Sequence, residues 1–369
     1  MRILNVSAFF PSHGGGVEIV AAELAAALSR RGHDSRLTGA AFDPVPTEGV
    51  VQPVPLACVD PLEKWAGLPM PLPTATARET LKQELRAADA VIIHDALYAT
   101  SQLARRYAEQ LGKPWILMQH IGAIRYTNRL MRHALSVANR LVTQPMLERA
   151  PQAVFISDTV RRYFSSGRYR SAPELLFNGI DKARFYPVRE ALPMRARPRL
   201  LFVGRFVEKK GLAVLRAFAQ RRPDCDLLMV GGGPIDPTRW GLENIAVLGR
   251  KGRTELAELY RSCDALVLPS VGEGFPLVVQ EAMACGLLIF CGSETAEADP
   301  GASAFMLGIE IDLADPQATA SRLSERLDAA SRGVQKMAAE YACQTYDWDR
   351  NAVWLEHRLL FIASAVRAL

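Results

Sequence analysis

A short apolar segment, a turn and a helical repeat follow one another along this chain, break off at a stretch carrying Pro187, Pro193 and Pro198, and begin again at residues 199–203. Strands that alternate with helices pair through crossovers and build a parallel sheet, so the pattern predicts two open α/β halves. In the first half, residues 2–9 read as a buried strand. Gly14-Gly15-Gly16 then forms a turn, and Val17, Val20, Ala21, Leu24 and Leu28 recur at helical spacing up to a stop at Gly32. The alternation continues through strand 90–93, a helix near 99–111, strand 115–118, a long helix near 127–149 and strands at 153–156 and 175–177.

In the second half, strand 199–203 is followed by helix 211–221, strands 226–230 and 245–248, helix 254–262, strand 265–268, helix 276–285 and strand 287–290. With 369 residues and about 150 per domain, the chain is long enough for two cores. The expected division is 1–186 and 187–349, with 350–369 as a helix that crosses back to the first domain. Residues 43–76 hold eight prolines, at 44, 46, 53, 55, 61, 69, 71 and 73, and read as a long surface loop. Two doubly wound domains place the carboxyl ends of their strands toward one central cleft, so function is sought in the loops that follow strands.

Composition narrows the class. Apolar residues at 49% and charged residues at 22% exclude disorder, collagen and a bare coiled coil. The most apolar window, from Leu277 to Cys291, is interrupted by Gln280 and Glu281, so no bilayer span is expected. The start, MRILNVSAFF, reads as a first strand rather than an export signal. Six cysteines without a CxxC pair or regular spacing point to neither a zinc site nor a disulfide framework, and a reducing cytoplasm fits.

Of the post-strand segments, the most specific is Ser270-Val271-Gly272-Glu273-Gly274-Phe275-Pro276-Leu277-Val278-Val279-Gln280-Glu281. Pro276 suits the first helical position, leaving amides around Gly274, Phe275 and Leu277 for an anionic or polar ligand. Glu281 falls in an otherwise apolar helix and needs a partner: a backbone N–H or buried Arg, or the vicinal diol of a ribose. After strand 199–203 comes Gly204-Arg205-Phe206-Val207-Glu208-Lys209-Lys210-Gly211, where Arg205 and Lys210 can clamp a pyrophosphate or simply be solvated. Gly14-Gly15-Gly16 lacks the G-x-G-x-x-G spacing and serves either as a close approach to phosphate or as a plain turn. His120 ends strand 115–118 as a hydrogen-bond partner or proton acceptor, or as a structural histidine. His94 and Asp95 end strand 90–93 and receive no role. Asp224-Cys225-Asp226 and Asp347-Trp348-Asp349 are poorly placed to chelate a metal at the ligand edge.

Together GGGVE (14–18), NGID (178–181), GRFVEKKG (204–211), GGGP (231–234) and EGFPLVVQE (273–281) resemble, in order and over nearly the whole chain, the family-4 retaining glycosyltransferases (glycosyltransferase group 1) of the GT-B fold. The resemblance implies transfer of a hexosyl unit from a UDP- or GDP-sugar, bound by the C-terminal domain, to an acceptor held mainly by the N-terminal domain, with retention at the anomeric carbon. It implies no metal and no other cofactor. By motif position, Arg205 and Lys210 stabilise the leaving diphosphate, Gly15 and Gly16 approach it, and Glu281 takes the ribose. Glu273 lies beside the transferred sugar, Gly274, Phe275, Pro276 and Leu277 read its hydroxyls, His120 lies near it, and 245–251 borders the base. Many members carry Gly where this chain has Pro276. No protein nucleophile is implied, because the departing phosphate is thought to help deprotonate the acceptor.

Other readings of the same residues are a glycoside hydrolase, a nucleotide-sugar epimerase and a non-catalytic nucleotide-sugar or glycan-binding subunit. Eight residues of helix rise about 12 Å, beyond the roughly 5–9.5 Å between hydrolase carboxylates. Analysis of products without acceptor separates the epimerase. The acceptor side carries a charge signal: Arg125, Arg129, Arg132, Arg140, Arg149, Arg161, Arg162, Arg168 and Arg170 stand against only Glu148 and Asp158, among Tyr126, Leu130, Met131, Tyr163, Phe164 and Tyr169. Such a region suits an anionic membrane surface or a polyprenyl-diphosphate-linked sugar acceptor, or else is a solvated face with local ion pairs. No RNA-binding signature accompanies it, so nucleic acid is not expected. The expected protein is thus cytoplasmic, either free or peripheral on the inner membrane face, and works in cell-surface polysaccharide or glycolipid synthesis.

Overall fold

The computed structural model describes residues 1–61, 63, 69–122, 129–187, 197–330 and 332–367. Of the expected linker at 187–198, residues 188–196 lie outside the described residues, as do Arg125 and Tyr126. The chain divides into two compact α/β units. One is built from Met1–Gly122, His133–Asn178 and the helix that begins at Trp348, and the other is built on Gly179–Asp347.

The first unit has a seven-stranded sheet of β1 (Arg2–Val6), β2 (Asp34–Ala40), β3 (Gln52–Leu56), β6 (Ala90–His94), β7 (Trp115–Gln119), β8 (Gln152–Phe155) and β9 (Glu174–Leu175), in the order β3-β2-β1-β6-β7-β8-β9. All its pairings are parallel. Helices cover both faces of such a sheet, which is why β6 and β7 are apolar nearly throughout and fully buried. Strand order reverses between β1 and β6, and the switch point leaves a crevice at their carboxyl ends. Gly14 to Gly16, Asp95 and His120 all follow strands at that edge.

Residues 43–76 are not one loop. Gln52–Leu56 is an edge strand paired with β2, and β4 (Cys58–Val59) pairs antiparallel with β5 (Leu72–Pro73). Pro53 and Pro55 are two apart, and on an edge strand alternate N–H groups point away from the sheet, so neither proline costs a ladder bond. The 127–149 stretch is also broken. Helix Arg129–Ala138 passes through a π turn, Asn139–Thr143, into Gln144–Arg149. Pro145 has no N–H to give and its ring crowds the preceding turn, which the wider π turn accommodates.

The helix Gly16–Arg30 buries Val20, Ala21, Leu24 and Leu28 on the sheet and ends before Gly32, whose φ is +85°. Beside it lies the C-terminal helix Trp348–Arg367, which also meets β7, with Arg30 bonded to Asp349 at 2.7 Å and Arg31 to Glu356 at 2.6 Å. Asn351 Nδ2 donates to Phe177 O at 2.7 Å, and Ala352, Leu355, Leu359 and Ile362 are buried, whereas Leu360 faces solvent.

The second unit has a six-stranded parallel sheet of β10 (Arg199–Arg205), β11 (Asp226–Gly232), β12 (Ile245–Gly249), β13 (Ala265–Leu268), β14 (Leu288–Gly292) and β15 (Met306–Ile309), in the order β12-β11-β10-β13-β14-β15. Its switch point falls between β10 and β13, the two strands that carry the basic segment and the paired glutamates. Helices Ala75–Ala87, Pro316–Asp328 and Gln335–Thr345, and strands β2 and β15, are elements the alternation leaves out.

Candidate active site

In the second unit, two strand-end segments that are distant in sequence interlock. Past β10 the chain makes a 3₁₀ turn, Glu208–Lys210, and enters helix Leu212–Arg221 through Gly211. Gly211 has φ +73°, and a Cβ there would lie 2.2 Å from Pro269 O, so only glycine lets the turn sit against the loop after β13. Val271 N donates to Lys209 O at 3.0 Å, which ties the two backbones together. The side chains complete the junction: Lys210 Nζ lies 2.9 Å from Glu273 Oε1, both largely shielded from solvent.

Electrostatics at this junction favour a polyanion. Burial works to raise the Glu273 pKa, but Lys210, Lys209 and Arg205 more than offset it, and the carboxyl titrates below its ordinary range. Burial lowers the Lys209 pKa, and neighbouring Lys210 and Arg205 push the same way against the pull of Glu273. Three cations around one carboxylate leave surplus positive charge at the carboxyl end of β10, where Arg205 is exposed. Lys209, to which the sequence reading gives no role, belongs to this group.

Pro276 is the residue before the helix, with φ −64° and ψ 132°, rather than its first residue as expected; the helix is Leu277–Ala284. The proline thus fixes the entry, and the first-turn amides begin with Leu277. Phe275 is buried while Gly274 and Pro276 are half-buried. Glu281 is buried, and a partner it has is neither a backbone amide nor an arginine: the fully buried Tyr260 donates its hydroxyl to Glu281 Oε2 at 3.3 Å. Burial and the Glu281 charge hold the Tyr260 phenol well above its usual pKa, so the proton stays on the tyrosine.

In the first unit, Gly15 precedes the helix and Gly16 is its first residue. A Cβ on Gly15 would lie 2.1 Å from Glu18 Oε2, so the Glu18 carboxylate folds over the helix N-terminus, while the space beside Gly16 is open. A carboxylate there complements the helix dipole, a placement the GGGVE motif alone does not reveal.

His120, His94 and Asp95 form one buried cluster at the ends of β6 and β7. His94 Nδ1 and His120 Nε2 are 3.1 Å apart, so one imidazole donates to the other. Asp95 has φ +59°, a strained value for a residue with a side chain. Its Oδ1 accepts from Gln119 Nε2 and from His120 N. Burial lowers the His120 pKa to about 3, and burial and His120 together hold His94 well below its usual range. His120 is therefore a neutral hydrogen-bonding group, and of the two roles expected for it proton acceptance is disfavoured. Burial pushes the Asp95 carboxyl up to about 7, against the His120 and Ile121 amides and with help from the Glu18 charge. His94 Nε2, Asp95 Oδ2 and His120 Nδ1 have no hydrogen-bond partner among the described residues.

The basic region divides in two. Arg161 and Arg162 both pair with Asp158, at 2.5 and 3.0 Å. Arg132, Arg140, Arg149, Arg168 and Arg170 are exposed, and so are Val137, Leu141 and Tyr163. Phe164 and Tyr169 are not surface aromatics as expected: Phe164 is buried against Phe155, and Tyr169 packs edge-on to Phe155 with its hydroxyl on Phe164 O. The aspartates of the two Asp-x-Asp triplets are spent on cations: Asp224 on Arg222, Asp226 on Arg197, Asp347 on Lys182 and Asp349 on Arg30. Among the described residues, no helix is long and apolar enough to cross a membrane.

Residues 14–184 match the family described as Glycosyltransferase Family 4, and residues 197–328 match Glycosyl transferases group 1. The chain is similar to the phosphatidyl-myo-inositol mannosyltransferase of Mycolicibacterium smegmatis, 33% identical over 160 residues, which is 40% of this chain and 41% of that protein. It is similar to the D-inositol 3-phosphate glycosyltransferase of Salinispora tropica, 33% identical over 224 residues, 50% of this chain and 45% of that protein. The chain thus spans less than half the length of these two relatives. Sucrose-phosphate synthase of Thermosynechococcus elongatus superposes with a TM-score of 0.73 at 22% identity, covering 98% of this chain and 100% of that one. Anabaena HepE in complex with UDP-glucose superposes at 0.65 and 16% identity, over 100% of both chains. The fold shared with these structures is GT-B.

Proposed function

The chain belongs to glycosyltransferase family 4, and on that premise we propose that it moves a hexosyl unit from a UDP- or GDP-sugar to a glycan or polyprenyl-diphosphate-linked sugar acceptor. The observation that carries this reading is the Lys210–Glu273 contact inside the cluster of Arg205, Lys209 and Lys210. A leaving nucleoside diphosphate needs preorganised positive charge, and fixed cations supply it without a metal. Arg205, with its planar fork, suits the phosphoryl oxygens, and Lys210 adds a point charge.

Glu281, held by Tyr260, is assigned to the ribose diol. Glu273 and the segment Gly274, Phe275, Pro276 and Leu277 are assigned to the transferred sugar. In the first unit we assign the Gly15 and Gly16 amides to an anionic group and neutral His120 to recognition of a sugar hydroxyl. Anomeric configuration is retained in this reading, and the departing phosphate takes the acceptor's proton, so no side chain acts as nucleophile. The HepE complex with UDP-glucose supports a UDP-sugar donor. The relatives' names contain inositol 3-phosphate and phosphatidyl-myo-inositol, and both support a phosphorylated acceptor. The exposed Arg132 and Arg140 beside Leu141 support peripheral contact with an anionic membrane in the cytoplasm.

The test is a thermal-shift screen of UDP-glucose, UDP-galactose, UDP-N-acetylglucosamine and GDP-mannose, followed by turnover of the stabilising donor with a polyprenyl-diphosphate-linked sugar. Stabilisation by one donor, lost in Arg205→Ala and Lys210→Ala, is the expected result. No stabilisation by any of them, or full turnover in both variants, overturns the reading.

A further inference from the structure

The loop that carries Glu273 is fixed at two places by different means. Its first half is tied to the cationic turn by Val271 N on Lys209 O and by Lys210 on Glu273. Its second half is fixed by a ring. Phe275, buried amid half-buried neighbours, meets Tyr346 edge-to-face with centroids 5.6 Å apart and planes at 75°. Tyr346 is itself anchored. Its hydroxyl donates to Asp299 Oδ2 at 2.8 Å, and Tyr341 donates to both oxygens of the same carboxylate, at 3.1 and 3.0 Å. Asp299 Oδ1 also accepts from Gly301 N at 2.9 Å, and Tyr346 O accepts from Ile180 N at 3.3 Å.

Tyr346 and Asp299 are fully or almost fully buried, and the Tyr346 hydroxyl is given to Asp299 rather than presented to a ligand. Hydrogen bonds from two tyrosine hydroxyls to one buried carboxyl group fix both rings relative to Asp299. The Tyr346 ring then limits where Phe275 can sit, and Phe275 stands between the Gly274 and Leu277 amides.

We propose that Tyr346 is a positioning residue for sugar recognition: anchored by Asp299, it holds Phe275 and so aims Glu273 and the Gly274 to Leu277 segment at the donor's sugar. This rests on assigning that segment to the sugar and the cationic turn to the diphosphate. Because the two halves of the loop are fixed separately, loosening the Phe275 end leaves the diphosphate site in place. The affected quantity is the affinity for a nucleotide sugar relative to its bare nucleoside diphosphate.

The experiment is isothermal titration of the full chain with UDP, GDP, UDP-glucose, UDP-galactose, UDP-N-acetylglucosamine and GDP-mannose, comparing wild type with Tyr346→Leu, Tyr346→Phe and Phe275→Leu. Tyr346→Leu and Phe275→Leu are expected to raise the ratio of nucleotide-sugar Kd to nucleoside-diphosphate Kd by about tenfold, with the diphosphate Kd within about twofold of wild type. Tyr346→Phe keeps the ring but loses the bond to Asp299, and is expected to raise the ratio by a smaller factor than Tyr346→Leu. The double variant is expected to be no worse than either Leu variant alone, because both break one contact. Should Tyr346→Leu fail to fold, Phe275→Leu reads the same contact from its other side. Equal weakening of diphosphate and nucleotide sugar in the Leu variants would mark general loss of structure and overturn the proposal, as would an unchanged ratio. If wild type binds the diphosphates but none of UDP-glucose, UDP-galactose, UDP-N-acetylglucosamine and GDP-mannose, the assignment of the loop to the sugar fails instead.

Discussion

Lys210 Nζ lies 2.9 Å from Glu273 Oε1, and through this contact the turn after β10 and the loop after β13 share one charge system. The cation assigned to the leaving diphosphate is thus held in place by the acid assigned to the sugar. Lys210→Ala is expected to lower kcat/KM by about 10²–10³-fold, the cost of removing one preorganised transition-state donor. Glu273→Gln removes the partner but not the cation and is expected to lower kcat more than it raises the donor KM. Steady-state kinetics with varied donor separates the two. Folding lowers the Glu273 pKa, so its contribution to stability is present above the unfolded value and is lost only as pH falls through the folded one. The ion pair should therefore persist at pH 5, and the acid limb of the rate profile is expected to be the same in Glu273→Gln between pH 5 and 7.

Asp95 behaves in the opposite sense. Its pKa is raised to about 7, so between the unfolded value of about 3.9 and that folded value the native state binds a proton the unfolded chain has released. Stability contributed by this group falls as pH rises through the window. His94 and His120, both depressed, act the other way below pH ~6.5. Asparagine at position 95 keeps an acceptor for Gln119 and His120 and tolerates the positive φ. Urea unfolding is expected to show Asp95→Asn gaining on wild type by an amount that grows from pH ~4 to ~7 and then levels, on the order of a few kcal/mol. A constant difference across that range would contradict the raised carboxyl.

Glu281 should respond to the pentose rather than to the phosphates. UDP or GDP binding, measured by calorimetry, is expected to weaken about 10–100-fold in Glu281→Gln, as when a charged acceptor is lost from a hydrogen-bond pair. A 2′,3′-dideoxy nucleotide should bind wild type and variant alike. Tyr260→Phe removes a donor from the same carboxylate and is expected to give a smaller loss in the same direction.

Arg132, Arg140 and Leu141 supply the surface test. Vesicles rich in phosphatidylglycerol are expected to carry the protein down on centrifugation at low ionic strength and to release it near 0.5 M salt, where the screening length is only ~4 Å. Arg132→Glu with Arg140→Glu should abolish sedimentation without changing turnover of a soluble acceptor. Sedimentation that survives both the salt and the substitutions would exclude an electrostatic surface.

Much of this was legible in the residues and some was not, for physical reasons. Buried parallel strands are apolar nearly throughout, so β6, β7, β10 and β13 stand out. β2, with Asp34, Ser35, Arg36 and Thr38, does not, and prolines hide β3. The helix Ala75–Ala87 begins where Thr74 accepts a hydrogen bond from Ala77 N, a signal masked by the prolines before it. Arg205, Lys210 and Glu273 can be named because they follow strands, and Glu281 because it is a charge inside an otherwise apolar helix. Lys209, Tyr260, Glu18 and Tyr346 act through neighbours distant in sequence or through a fold-back, and spacing carries no trace of such contacts. Phe164 and Tyr169 turn inward, which the sequence does not reveal, because an aromatic between arginines looks the same whether it points out or in.

The helix Trp348–Arg367 closes a unit whose other segments are made first. A ribosome that has finished Asn178 must still produce all of Gly179–Asp347, roughly ten to thirty seconds of synthesis at about 5–20 residues per second, before Leu355 and Leu359 emerge to cover the side of the Gly16–Arg30 helix that bears Arg30. For that interval the nascent chain leaves open the helix flank that the C-terminal helix later covers. The part translated first is the part completed last.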